Sequence, residues 1–105
     1  MNVQDTIRAQ VEGHPVVLYM KGSPQMPQCG FSSTATQILK MCGVENAFTV
    51  DVLQNAEIRE GIKTFANWPT IPQLYVNGEF VGGSDIMREM YQSGELQKVL
   101  GAAAK

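Results

Sequence analysis

Apolar residues recur every fourth position at Val3, Ile7 and Val11, the spacing of one face of an α-helix. Asn2, with Asp5 three residues on, supplies a capping pair at its start, and His14-Pro15 ends it. Val16 to Met20 is a continuous, partly β-branched apolar run, which reads as a buried strand. Gly22 to Gln28 holds two prolines after a glycine and predicts a loop. Phe31, Ala35, Ile38, Leu39 and Cys42 return to helical spacing, with Gly43 as the stop. Ala47 to Val52 predicts a second strand, and Asn55 caps a third helix whose inner face carries Ile58, Ile62 and Phe65. Gly61 weakens that helix by about 1 kcal/mol relative to alanine, and Trp68-Pro69 ends it.

After Pro72 the run Gln73 to Val76 predicts a strand. Asn77-Gly78 is a two-residue hairpin signal of type I′, and Glu79 to Val81 is the returning strand. Gly82-Gly83 is a tight loop, after which Ser84 or Asp85 caps a helix carrying Ile86, Met87, Met90 and Tyr91. A last helix runs from Glu95 to Leu100. The order is α-β-α-β-α-β-β-α-α. Its first half is a right-handed βαβ unit with two parallel strands, and its second half adds an antiparallel hairpin. The expectation is an α/β fold with a four-stranded mixed sheet and helices on both faces.

Composition narrows the function more than the fold. With 105 residues, 44% hydrophobic and 17% charged, the expectation is one folded domain over residues 1–105. A net charge of −2 gives no support to nucleic-acid binding, which usually shows a basic patch. The apolar runs are too short to span a bilayer. Met1-Asn2-Val3-Gln4-Asp5 does not resemble a secretory leader, so a cytoplasmic location is expected. Two cysteines without such a leader suggest a reducing compartment, where thiols serve chemistry more often than disulfides. The tail Ala102-Ala103-Ala104-Lys105 reads as a frayed end.

The chemistry centres on Cys29-Gly30-Phe31-Ser32, a C-x-x-C redox spacing with serine in place of the second cysteine. Cys29 stands where the proline-rich loop meets the second helix. A helix N-terminus favours thiolate over thiol, and Lys21 at the end of the first strand adds positive charge. Cys42 cannot resolve Cys29 within one chain. Thirteen residues of helix rise roughly 20 Å, whereas a disulfide needs Cα atoms within about 7 Å. Cys42 reads as a core residue, the alternative being a surface thiol that links two chains. A phosphatase-type loop would need an arginine where this chain has Ala35, and two cysteines with one histidine do not make a protein zinc site. His14 reads as an exposed turn residue. Two further segments look like parts of a site. In Trp68-Pro69-Thr70-Ile71-Pro72, the last proline starts a strand or adopts cis, which would leave the Ile71 backbone free to pair with an extended peptide. Gly82-Gly83-Ser84-Asp85 opens a helix whose N–H groups suit a small carboxylate.

Taken together, Lys21, Cys29-Gly30-Phe31-Ser32, Trp68-Pro69-Thr70-Ile71-Pro72 and Gly82-Gly83-Ser84-Asp85 resemble the monothiol glutaredoxins of the CGFS type, in order and in spacing, over about Val3 to Leu100. The loop between Lys21 and Cys29 is similar too, and the chain looks like the short single-domain form. The resemblance implies a thioredoxin fold with glutathione beside a redox-active Cys29. Lys21 and Arg59 would pair with its glycyl carboxylate, Ile71 before cis-Pro72 would bond its cysteinyl unit, and Ser84 and Asp85 would hold its γ-glutamyl end. Ser84 stands where some relatives carry a cysteine. The resemblance further implies a [2Fe–2S] cluster. Such a cluster takes four thiolates, met by Cys29 from each of two chains and two glutathiones in a cluster-bridged homodimer. BolA-like proteins and iron–sulfur acceptor proteins would be partners. The alternative is a glutathione-dependent thiol–disulfide oxidoreductase that removes glutathione from mixed disulfides, with Cys29 as nucleophile. Ser32 and the long loop favour the carrier, with weak thiol transfer beside it.

Overall fold

The computed structural model describes residues 2–101, so the expected frayed tail at 102–105 lies outside the described residues. The elements are α1 (Val3–Gly13), β1 (Val16–Met20), α2 (Gly30–Met41), β2 (Phe48–Asp51), α3 (Ala56–Ala66), β3 (Gln73–Val76), β4 (Glu79–Gly82), α4 (Ser84–Ser93) and α5 (Glu95–Leu100). The sheet order is β2-β1-β3-β4, with β1 and β2 parallel and the other pairs antiparallel. This is the expected four-stranded mixed sheet.

The all-apolar sequence of β1 follows from its central place. Val16, Leu18 and Met20 share a core with Ala35, Ile38 and Leu39 of α2, Met87 of α4, and Leu96 and Leu100 of α5. Val17 and Tyr19 point the other way, into a core with Ile7 and Val11 of α1 and Ile58 and Ile62 of α3. Successive side chains of a strand alternate between faces, so a strand with helices on both sides has no polar position.

Most local signals act as read. Asn2 accepts the Asp5 N–H at 3.0 Å and Asn55 accepts the Ile58 N–H at 3.1 Å, so both caps form. Asn77 and Gly78 have φ 52° and 84°, as a type I′ turn requires. The second strand is shorter than the 47–52 expected, because Asp51 caps a 3-10 turn, Val52–Gln54, by accepting the Leu53 N–H. Helix α3 stops one residue before Trp68, at left-handed Asn67. Strand β4 runs on to Gly82, across a register shift between Leu74 and Tyr75. His14 is exposed as expected, yet its ring stacks on Phe48 at 4.0 Å. Gly61 has a packing reason: a Cβ there would lie 3.1 Å from Ile7 Cδ1 and from Val3 Cγ1, so the glycine lets α1 and α3 close together.

Candidate thiol site and adjoining groove

Cys29 is the N-cap residue of α2, in extended backbone geometry and half-buried. Its thiol is held below the ordinary range, first by the Ser32 N–H against the opposing effect of burial, then by the Phe31 N–H, the Lys21 ammonium and the Ser32 hydroxyl. The sulfur closes no cap hydrogen bond of regular geometry, so the pull is that of free N–H groups and the helix dipole on a nearby anion. Cys42 is the C-cap residue at the far end of the same unbroken helix. It packs partly buried against the core, and burial pushes its thiol up. The expected core role for Cys42 therefore holds in part, and a bond between the two sulfurs within one chain is excluded by the intact helix. The two shifts have opposite signs, so at neutral pH only Cys29 carries an enlarged thiolate fraction. Iodoacetamide at pH 7 is expected to label Cys29 and spare Cys42, read by peptide mass mapping. Equal labelling would contradict the arrangement.

Ser32 is not a vacant cysteine position. Its side chain is buried, and Oγ accepts the Lys21 N–H at 3.0 Å. The hydroxyl thus ties the first turn of α2 to the end of β1.

Beside this turn lies a groove of about 150 Å³, lined among others by Phe31, Trp68, Ile71, Pro72, Ser84 and Asp85. Phe31 links the two regions: it is 59% exposed, two residues from the sulfur. The Ile71–Pro72 bond is cis. Neither the N–H nor the C=O of Ile71 has a hydrogen-bond partner among the described residues. Fully buried Gln73 braces the segment before it. Gln73 Nε2 donates to the Trp68 and Thr70 carbonyls at 3.2 and 3.1 Å, and Oε1 accepts from the Tyr75 hydroxyl at 2.9 Å. Trp68 packs on Phe80, and its buried Nε1 lacks a partner among the described residues.

At the opposite wall the expected cap is corrected. Neither Ser84 nor Asp85 caps α4; Gly83 is the N-cap residue, and no side chain among the described residues bonds the first turn. The cause is at Gly82, whose φ of +152° is open to glycine and brings the chain into the helix one residue early. A Cβ on Gly83 would come within 3.2 Å of the Pro72 carbonyl. The first N–H groups of α4 therefore stay free beside the groove, with buried Ser84 and exposed Asp85 as its first two residues.

Ile71, Pro72, Ser84 and Asp85 thus share one groove, whose lining includes Phe31 but neither Cys29 nor Lys21, while the Lys21 ammonium acts on the Cys29 thiol. Arg59 lies exposed on α3, and neither it nor Lys21 is part of the groove lining. Together these offer a thiol pulled toward thiolate, an ammonium, an open backbone edge and an uncapped helix start. That set suits an extended anionic peptide bearing a thiol. Among the described residues no three His, Cys, Asp or Glu side chains gather to hold a metal. A larger concavity of about 790 Å³ between the 22–28 loop, α2 and β2 contains neither cysteine in its lining.

A family model described as Glutaredoxin matches residues 16–81. The chain is 61% identical over 93 residues to an uncharacterized monothiol glutaredoxin ycf64-like of Synechocystis, covering 89% of this chain and 86% of that protein. It is 54% identical over 96 residues to Glutaredoxin 4 of Escherichia coli strain K12, covering 91% and 83%. Among solved structures, reduced apo GrxS14 of poplar superposes with a TM-score of 0.82 at 48% identity, over 96% of this chain and 92% of that one.

Proposed function

This chain belongs to the glutaredoxin family, with a thioredoxin fold and a single active-site thiol, and from that premise we propose that it binds glutathione beside Cys29 and carries a [2Fe–2S] cluster as cargo. The glutathione fit rests on the groove. Free N–H groups at the start of α4 suit the γ-glutamyl carboxylate, the unpaired Ile71 backbone suits the cysteinyl unit, and Lys21 suits the glycyl carboxylate. Arg59, exposed on α3, is the second cation proposed for that glycyl carboxylate.

The observation that carries the cluster reading is the isolation of Cys29. Ser32 turns its hydroxyl inward to Lys21, and Cys42 is held at the other end of α2. One chain therefore offers one usable thiolate where a cluster takes four. Two chains and two glutathiones complete the set, which makes a glutathione-dependent homodimer. Only half of those thiolates belong to the protein, the glutathiones being held to it non-covalently, which favours handing the cluster to acceptor proteins or sharing it with a BolA-like partner.

The depressed Cys29 thiol also favours a second reading. Its thiolate attacks the glutathione-side sulfur of a mixed disulfide and expels the substrate thiolate. A second glutathione thiolate then attacks the resulting Cys29–glutathione disulfide, releasing glutathione disulfide and restoring Cys29.

Anaerobic incubation with iron, sulfide and glutathione tests the first reading, by visible spectrum and solution mass. A coloured dimer that bleaches to monomer when glutathione is removed is expected. A colourless monomer that rapidly reduces glutathionylated peptide would leave only the second reading.

A further inference from the structure

Lys21 and Gly22 are the two residues at which the chain leaves β1 for the loop that ends at Cys29. Each has its N–H held by a side chain from elsewhere in the fold. Ser32 Oγ of α2 accepts the Lys21 N–H at 3.0 Å. Asp51 Oδ1, at the end of β2, accepts the Gly22 N–H at 2.9 Å across 29 residues of sequence. The loop itself is a small closed hairpin. Gln28 N–H donates to the Lys21 carbonyl at 2.9 Å, Gly22 bridges to Pro27, and Ser23 and Met26 exchange backbone hydrogen bonds. Gly22 has φ +90°, and a Cβ there would lie 2.5 Å from the Met26 carbonyl and 2.7 Å from the Gln28 nitrogen. Because the base is closed and tight, what fixes Gly22 also fixes Gln28, the residue before the thiol.

We infer that Asp51 is a positioning residue of the thiol site: its carboxylate anchors the base of the 22–28 loop and, with the Ser32 hydroxyl as counter-anchor, sets where Lys21 and Cys29 stand. Asp51 lines no part of the groove. It acts through the backbone of Gly22. The same oxygen caps the turn Val52–Gln54 through the Leu53 N–H at 3.0 Å. A purely local cap and a site anchor make different predictions, since only the second transmits a change to Gly22 and Cys29.

The inference rests on the reading of Cys29 and Lys21 as the thiol site. Its test needs no cluster, so a failure to assemble one and a failure of this anchor are separate results. Asp51→Asn keeps an oxygen acceptor and removes the charge, whereas Asp51→Ala removes both. In the full chain, the Cys29 alkylation rate at pH 7 is measured for each, together with amide exchange at Gly22, Leu53 and Gly78. Asp51→Ala is expected to alkylate more slowly than Asp51→Asn by roughly three- to tenfold, because a loosened loop base moves Lys21 and the α2 N–H groups away from the sulfur. Gly22 should exchange faster in the alanine variant alone, with Gly78 in the distant hairpin unchanged. Equal alkylation in the two variants, or faster exchange at Leu53 only, overturns the anchor. Should Asp51→Ala not fold, Ser32→Ala reads the same base from the other side. Faster exchange at both Lys21 and Gly22 supports a shared base, and an unchanged Gly22 amide overturns it.

Discussion

Cys29→Ser is expected to remove both activities of the site at once while leaving the fold as stable as before or slightly more so. In the proposed function the thiolate is the cluster ligand or the nucleophile, and a serine hydroxyl is neither at neutral pH. Cluster colour and the glutathione-dependent dimer should be absent, and glutathione exchange should fall on the order of 10³-fold or more. Stability should move the other way. Cys29 occupies the N-cap of α2 without closing a cap hydrogen bond, and serine is among the preferred residues there, for a gain of up to about 1 kcal/mol. The position thus gives up helix capping for chemistry. Cys42→Ser is the companion variant and should retain colour, dimer and exchange, because Cys42 is held away from the site by the length of α2. Anaerobic reconstitution and urea melts of both variants check this. Cluster colour in Cys29→Ser would overturn the ligand assignment, and a stability loss above about 1 kcal/mol would mean the thiol has a structural role.

Gln73→Leu is expected to give the largest loss of stability, about 2–4 kcal/mol, with a weakened hold on glutathione. The substitution keeps most of the volume of a fully buried side chain in β3 and deletes its three hydrogen bonds. The Tyr75 hydroxyl then has no acceptor inside the core, which costs about 1–3 kcal/mol. The Trp68 and Thr70 carbonyls are nearer to water and add less. Those carbonyls belong to the wall of the groove, so releasing them frees the segment that leads into Ile71. Urea unfolding gives the stability, and calorimetric titration with glutathione gives the affinity. A folded variant with unchanged affinity would mean that Gln73 supports the core without shaping the groove.

The parts that were legible in the sequence are those whose cause lies within a few residues. Val3, Ile7 and Val11 define a helix face because their spacing matches the helical repeat, and Asn77-Gly78 defines a turn because both residues tolerate positive φ. Cys29 at the junction of loop and helix was legible for the same reason, since the N–H groups that favour its thiolate belong to Phe31 and Ser32. The cap of α4 was misread because Ser84 and Asp85 are good capping residues, while the deciding property was the backbone of Gly82. Phe31 and Trp68 were noted as motif members, yet their place in the groove wall depends on how α2, β3 and α4 meet.

The sequence by itself therefore determined the element order, the mixed sheet, the lone reactive thiol and the family resemblance. Each rests on periodicity, turn chemistry or a motif of neighbouring residues, where local sterics and hydrogen bonds act over short stretches of chain. Tertiary structure alone decided that Asp51 holds Gly22, that Ser32 turns its hydroxyl to Lys21, and that Gln73 braces Trp68 and Thr70. No short pattern encodes these contacts. A hydrogen bond needs two groups within about 3 Å, and for residues far apart in the chain that distance is set by the packing of the sheet and its helices.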